Sequence, residues 1–412
     1  MTMFKRCAAL ALAMTMSLGL LAGCGKKGDQ KTPDASSSKA PAVEPMDLTD
    51  ITDPYLATAG IPGDAVVATV GEYELKAADL LHWLDGSIQM YLSQMAAYGV
   101  TEIPWDADPE NGGPAKMFLN GALDTATFYR LIPEVAKKEG IEVSQEAKDF
   151  MEKDMAQTAE KLGGEEGLEL LLWHQLSTEE QYRRFFEAGT LYQNMMNRWY
   201  GPESGSYPTD AQVLAFAQDE LGMYRAKHIL LSTKDVESQE PLDEETCKQK
   251  KAQADDILAQ IRAAADPVAK FDELMKAHSE DPGLAAAPDG YDAMKGEMVP
   301  EFENTAIALK EGEISDVVES DFGYHIIMRL PLKDLEPVRG KLVNQLMQKR
   351  VDDWMKENPV ETTEVFDQID VKAFWEKVQS FRAGVSKELE AIQAKMDDSS
   401  AAAPEKSQPE SK

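Results

Sequence analysis

Cysteine is scarce: the 412-residue chain has three, Cys7, Cys24 and Cys247. The first two fall within or at the end of an apolar N-terminal stretch. Only Cys247 is left in the body of the chain, which excludes a disulfide framework. Basic residues are also few, 42 against 73 acidic ones, giving a net charge of -31. A surface built to hold nucleic acid or anionic lipid is thereby excluded, because phosphate recognition needs a cationic face. Past the first two dozen residues no run approaches the roughly 18 apolar residues of a membrane-spanning helix. What is there is ordinary for a globular protein: 43% hydrophobic residues in a chain long enough for two or three domains.

The N-terminus carries targeting chemistry. Lys5 and Arg6 precede an apolar run from Cys7 to Leu21, and the run ends in Leu21-Ala22-Gly23-Cys24. The pattern is that of a secretory signal, and its end resembles the lipobox of bacterial lipoproteins. The resemblance implies cleavage before Cys24 and a diacylglyceryl group on its thiol, two acyl chains being enough for stable anchoring. The alternatives are a plain cleaved signal or an uncleaved anchor, for which the apolar core is short. Removing residues 1–23 takes Lys5 and Arg6 with it, so the charge goes from -31 to -33. Residues 24–60 are rich in Pro, Ser, Ala, Asp and Lys and read as a flexible tether. Residues 397–412 have the same composition and read as a disordered tail.

Residues 61–222 read as a mostly helical domain. An apolar run, Ala65 to Val70, a Gly71 turn and a short return to Leu75 form a hairpin, and a helix begins near Ala77. Gly140 marks a helix end and Ser144 the next cap. Capping boxes are expected at Ser177-Thr178-Glu179-Glu180 and at Thr209-Asp210-Ala211-Gln212. Met90, Met95, Met117, Met151, Met155, Met195 and Met196, with Trp83, Phe150, Phe185, Phe186 and Trp199, are core candidates; an exposed subset would suit promiscuous peptide binding. The hairpin-then-helices opening resembles the SurA and PrsA families of extracytoplasmic chaperones.

Residues 223–331 change character. Tyr224 to Leu231 alternates as a strand and puts His228 on an inward face. Two helices follow, about 243–264 and 267–278, the second with Asp266 as cap and Pro267 at its first position. Next come the loop Ser279-Glu280-Asp281-Pro282-Gly283, a third helix entered through Gly296-Glu297-Met298-Val299-Pro300-Glu301-Phe302, a turn at Gly312-Glu313-Ile314-Ser315, and a closing strand Gly323-Tyr324-His325-Ile326-Ile327. The expected order is one strand, three helices and two strands. Of five histidines, three lie here: His228, His325 and His278, the last an expected exposed helix-end residue.

These four segments, Ala226-Lys227-His228-Ile229-Leu230, the Gly-Glu-Met loop into Pro-Glu-Phe, Gly-Glu-Ile-Ser and Gly-Tyr-His-Ile-Ile, resemble the parvulin family of peptidyl-prolyl isomerases. The resemblance implies an α+β architecture, a small antiparallel sheet wrapped by helices, joined here to the helical chaperone-like region. Residues 332–396, read as two helices, would return to pack on that region. The family's paired histidines match His228 and His325, its carbonyl-facing acid matches Asp281, and Ser320 is a donor candidate for the histidine network. Met298 and Phe302 match the proline pocket, with Phe322 at its rim. The implied partners are unfolded secreted polypeptides with X-Pro bonds and, through Cys24, the outer face of a cell membrane. No nucleic acid is implied, and a homodimer is compatible with the resemblance.

The chemistry asks for no nucleophile, metal or cofactor. An X-Pro bond prefers trans by about 0.5–1 kcal/mol, but its isomers are separated by roughly 18–20 kcal/mol because resonance must be broken. A site needs only to bind the twisted amide better than the planar one. Two departures from the family stand out. Where many members read Gly-Asp-Leu-Gly-aromatic, this chain has Asp289-Gly290-Tyr291-Asp292-Ala293, so the leucine wall is missing and Tyr291 is the residue available to fill the gap. The stretch Ser232 to Glu245 is acidic, with Lys234 as its one cation, and lacks the basic cluster of phosphate-directed members. The alternative function is a non-catalytic holdase that uses the parvulin segment as a peptide-binding scaffold; a solute-binding lipoprotein is disfavoured because strands and helices do not alternate.

Overall fold

The computed structural model describes residues 43–235 and 238–401. Cys24, the signal segment and the first part of the expected tether lie outside the described residues. The described residues divide into two compact units, one made of 43–205 with 346–401 and the other lying within 206–345.

In the first unit the chain folds earlier than expected. Asp53 caps α1 (Pro54–Ala59), accepting from the N–H groups of Tyr55 and Leu56, and Tyr55 is buried. The Met46 N–H bonds to the Ser380 carbonyl at 2.9 Å, and Met46, Leu48 and Ile51 pack on the core. These apolar side chains are what ends the tether before residue 60. The hairpin follows as β1 (Val66–Val70) and β2 (Tyr73–Lys76), with Gly71 supplying the positive φ of 57° at its tight turn.

The helices α2 (Ala77–Ala96), α3 (Gly113–Lys138), α4 (Gln145–Lys161), α5 (Glu165–His174) and α6 (Glu179–Tyr200) come next. Ser144 caps α4 as expected. The capping box of α6 is shifted by one residue from the expected one: Thr178 and Gln181 form it, not Ser177 and Glu180. Ser177 is buried beneath the turn, which leaves Thr178 as the first residue free to point its hydroxyl at the helix amides. Of the methionines and aromatics singled out from the sequence, Met151, Met155, Met195 and Phe185 are buried, whereas Phe150 and Met117 are exposed.

The second unit starts well before residue 223. It opens with α7 (Asp210–Ala215), whose Thr209–Gln212 capping box is as expected. Val213, Phe216 and Ala217 pack against Val338, and this shared apolar cluster moves the boundary back from 222 to 205. Then come β3 (Met223–Ser232), α8 (Glu244–Ala263), α9 (Pro267–His278), β4 (Tyr291–Met294), α10 (Pro300–Ala308), β5 (Val318–Ser320) and β6 (Gly323–Leu330). The order therefore has a strand, β4, that the sequence reading passed over. It is four residues long, half exposed and preceded by Gly290 at φ 101°, so neither length nor alternation announces it. The sheet order is β4-β3-β6-β5, antiparallel throughout.

β3 is buried on both faces. Ile229 and Leu231 meet Ile257, Ile261 and Phe271 of α8 and α9 on one side; Tyr224 and Ala226 meet Phe302 and Ala306 of α10 on the other. The site lies on the α10 side.

The chain returns to the first unit through α11 (Glu336–Glu357), β7 (Val360–Thr362), α12 (Glu364–Asp367) and α13 (Val371–Ala401). β7 pairs with β1, making a three-stranded sheet β2-β1-β7 inside a region expected to be helical beyond its hairpin. Phe374, Val378, Phe381 and Val385, spaced on one helical face of α13, are fully buried in the same apolar core as Leu80, Leu81 and Leu84 of α2. The helix continues to Ala401, past the start of the expected tail; residues 402–412 lie outside the described ones. Among the described residues no helix is long and apolar enough to cross a membrane.

Gly323 opens β6 at φ 137°, and an added Cβ there would run into the Leu231 carbonyl and lie 2.9 Å from Ser232 Cα and Thr233 N. Those atoms are backbone in a paired strand and cannot swing aside. A Gly323→Ala variant is therefore expected to lose about 1–3 kcal/mol of stability, read as a lower urea midpoint for the cooperative unfolding of residues 206–345.

Candidate active site

β3 and β6 run antiparallel with His228 opposite Ile327 and Leu230 opposite His325. His228 and His325 are thus diagonal neighbours on one face of the sheet, within side-chain reach. Their rings stack at 13° with Nδ1 to Nδ1 at 3.0 Å. His228 Nε2 lies 3.1 Å from Asp281 Oδ2, and His325 Nε2 lies 2.7 Å from Ser320 Oγ on β5. The four residues expected to do the polar work form one connected chain.

Asp281 is delivered by the loop after α9, which is laced to the end of β3. The Glu280 N–H bonds to the Leu230 carbonyl at 2.8 Å, Ser279 Oγ accepts from the Leu230 N–H at 3.1 Å, and Glu280 Oε2 accepts from the Ser232 N–H at 2.8 Å. Asp281 then closes a small turn of its own, Oδ1 accepting from the Gly283 N–H at 3.1 Å. Sequence reasoning saw only a polar loop here; Ser279 and Glu280 were missed as the residues that hold it, and nothing in their spacing distinguishes them from ordinary loop residues.

A carboxylate only accepts, so His228 carries its proton on Nε2. With both rings neutral, one arrangement satisfies every contact. Phe322 N–H donates to Ser320 Oγ at 3.1 Å, Ser320 O–H donates to His325 Nε2, His325 Nδ1–H donates to His228 Nδ1, and His228 Nε2–H donates to Asp281. Each ring fixes the tautomer of the next.

The apolar side is built by α10 and the loop before it. Phe302 is buried, and its ring meets both imidazoles edge to face, with centroids 5.1 Å from His228 and 5.7 Å from His325. Met298 packs in the same cluster as Phe302 and Ala293, but it precedes the helix: Val299 is the cap and Pro300 the first helical residue. The pair therefore meets across a loop-to-helix corner. That corner is held by Glu303, whose buried Oε2 accepts from the Gly296 N–H at 2.7 Å, a residue the sequence reading left out. Phe322 is 45% exposed, with the Lys234 ammonium 4.9 Å above its ring. Tyr291, on β4, turns its ring edge to His228 at 5.9 Å and its hydroxyl to Asp281 Oδ2. Ala293 is buried and pairs with Tyr224. His278 is exposed at the end of α9 and takes no part.

Burial works to raise the Asp281 carboxyl, but hydrogen bonds from His228 and Tyr291, the nearby imidazole and the Gly283 N–H outweigh it and hold the group at about 2. Burial, followed by the neighbouring His228, pushes His325 down to about 3 against the pull of Asp281. Burial and Asp281 raise the Tyr291 phenol. The site at neutral pH is a fixed anion beside an oriented imidazole pair, of which His325 is held neutral, and an apolar wall.

With this geometry in view, the family described as "Rotamase: PPIC-type PPIASE domain" matches residues 228–330. Those residues form a parvulin domain. The Foldase protein PrsA of Staphylococcus aureus strain bovine RF122 / ET3-1 is 31% identical over 194 residues, covering 45% of this chain and 55% of the relative. That of strain MRSA252 is 39% identical over 132 residues, 30% of this chain and 39% of the relative. The chain thus spans about half the length of the curated relatives it matches. Among solved structures, PrsA from Bacillus anthracis aligns over 67% of this chain and 97% of its own at 19% identity and a TM-score of 0.21. The isomerase ESS1 of Candida albicans aligns over 30% and 78% at 24% identity and a TM-score of 0.24. The assignment of the domain rests on the sequence match and on the site geometry.

The two depressed groups set separate windows for acid sensitivity. His325 falls from 6.5 to about 3 on folding, so the unfolded chain binds more protons between those values and stability drops as pH is lowered from 6.5 toward 3. Asp281 goes from 3.8 to about 2, and its contribution is present above 3.8 and lost as pH falls through 2. Urea unfolding at pH 7, 5.5 and 4 is expected to show a declining free energy in the wild type and a clearly shallower decline in His325→Gln.

Proposed function

We propose that this chain is a peptidyl-prolyl cis-trans isomerase and folding factor for exported polypeptides, held outside the cytoplasmic membrane by a lipid on Cys24. The observation that carries the catalytic part is the unbroken Asp281–His228–His325–Ser320 network set against Phe302. The placement outside the membrane is supported by the signal and lipobox pattern ending at Cys24.

In a planar imide, resonance puts excess negative charge on the carbonyl oxygen; as the C–N bond twists, that charge returns to nitrogen. A fixed anion near the oxygen therefore disfavours the planar form more than the twisted one, and only such differential binding lowers the barrier. Asp281 supplies the anion, and the imidazole pair with Ser320 holds it in place. The proline ring is gripped by Met298 and Phe302, with Phe322 at the rim and the Tyr291 ring standing where the family's leucine wall is absent. Removing water from the imide also disfavours its charge-separated form. A thousandfold acceleration asks for about 4 kcal/mol in all, within reach of one fixed charge and one desolvated pocket.

Acceleration of a proline-limited refolding reaction checks this reading. The full chain is expected to be active, and Asp281→Ala, His228→Ala and Phe302→Ala are each expected to lower kcat/KM at least about tenfold, the equivalent of roughly 1.4 kcal/mol. Equal rates in the wild type and all three variants would remove the isomerase reading and leave a peptide-binding scaffold.

A further inference from the structure

Asp281 Oδ2 accepts two hydrogen bonds, one from His228 Nε2 and one from the Tyr291 hydroxyl. The second comes from residues 289–293, the stretch that departs from the Gly-Asp-Leu-Gly-aromatic pattern. The sequence suggests a wall residue at 291; the structure turns the ring edge toward His228 and uses the polar end on the carboxylate. Gly283 makes room for it. A Cβ at residue 283 would land on the Tyr291 hydroxyl oxygen, 3.2 Å from Cζ and 3.4 Å from Asp281 Oδ1. Gly283 also donates its N–H to Oδ1, so the two carboxylate oxygens are pinned from opposite sides by groups that need each other's small size and placement.

We propose that Tyr291 is a positioning residue for isomerisation: its hydroxyl locks the rotation of the Asp281 carboxylate, so that the anion is already aimed when an X-Pro bond enters. The inference rests on the isomerase reading above. Among the groups around Asp281, Tyr291 adds a third restraint to those of His228 and the Gly283 N–H. His228 on β3 fixes one oxygen but is itself held through His325 and Ser320; Glu280, next in the chain, is turned to Lys250 and to the Ser232 N–H. Without the hydroxyl, Oδ2 keeps His228 as its single side-chain donor and Oδ1 keeps the Gly283 N–H, so the carboxylate loses one of its three restraints and its rotation is less tightly fixed.

Phenylalanine at 291 keeps the wall and removes the lock, whereas alanine at 283 keeps the hydroxyl but evicts it. In the full chain, Tyr291→Phe and Gly283→Ala are each expected to lower kcat about tenfold with KM nearly unchanged, and the double variant should be no slower than Tyr291→Phe alone, since both remove one interaction. The imidazole N–H resonance of His228 should shift or broaden in both single variants while their melting temperatures stay near the wild-type value. A Tyr291→Phe protein with wild-type kcat, measured beside an impaired Asp281→Ala, overturns the inference and spares the isomerase reading. An Asp281→Ala protein as fast as the wild type overturns both. If Gly283→Ala does not fold, the kcat of Tyr291→Phe alone decides.

Discussion

The site depends on the antiparallel ladder between β3 and β6. Eight residue pairs, from Arg225 with Leu330 to Ser232 with Gly323, fix the register, and a slip of one residue would send His228 and His325 to opposite faces. The register is set by what surrounds the ladder. Ile229, Leu231, Ile326 and Met328 belong under α8 and α9, and Tyr224, Ala226 and Ile327 belong under α10. Two imidazoles can be held on a buried strand face because the apolar residues on either side leave the strands no other alignment.

Burial has a second effect. Histidines in water near neutral pH exchange protons and rotate; here each ring nitrogen has one partner, and the low dielectric strengthens those partnerships while penalising a stray charge. His325 is accordingly kept neutral and Asp281 ionised. The sheet supplies geometry, and the sheet's dryness converts geometry into a fixed charge distribution. The clamp on the Gly296 N–H by Glu303 extends the same logic to the apolar wall, since a pocket built on an unheld loop would not keep its shape.

Much of this was legible in the sequence because the signals were redundant. Alternation in Tyr224–Leu231, the Asp266-Pro267 helix start and the Gly-Tyr-His closing strand each place a residue independently, and the parvulin resemblance ties them in order. The unseen parts lacked a local signal. β4 is four residues with one buried side chain, and β7 is three residues that become a strand only because β1, some 290 positions earlier, offers an edge. The early end of the tether has the same cause: Met46, Leu48, Ile51 and Tyr55 are spaced without helical or strand period and join an apolar core shared with α13. Pattern reading detects periods, whereas these segments are ordered by partners remote in sequence.

Tyr291 shows how far a resemblance carries. Matching motifs transferred His228, His325, Asp281, Met298 and Phe302 to a common neighbourhood, but a motif comparison registers residue 291 only as a departure, the loss of a leucine wall. A tyrosine, however, combines an apolar ring with a donor at its tip, and the fold uses both ends. The ring stands beside His228, and the hydroxyl reaches a carboxylate that already has its other oxygen tied to Gly283. A departure that looks like damage to the pocket is, in three dimensions, an exchange of apolar surface for a tighter hold on the Asp281 carboxylate.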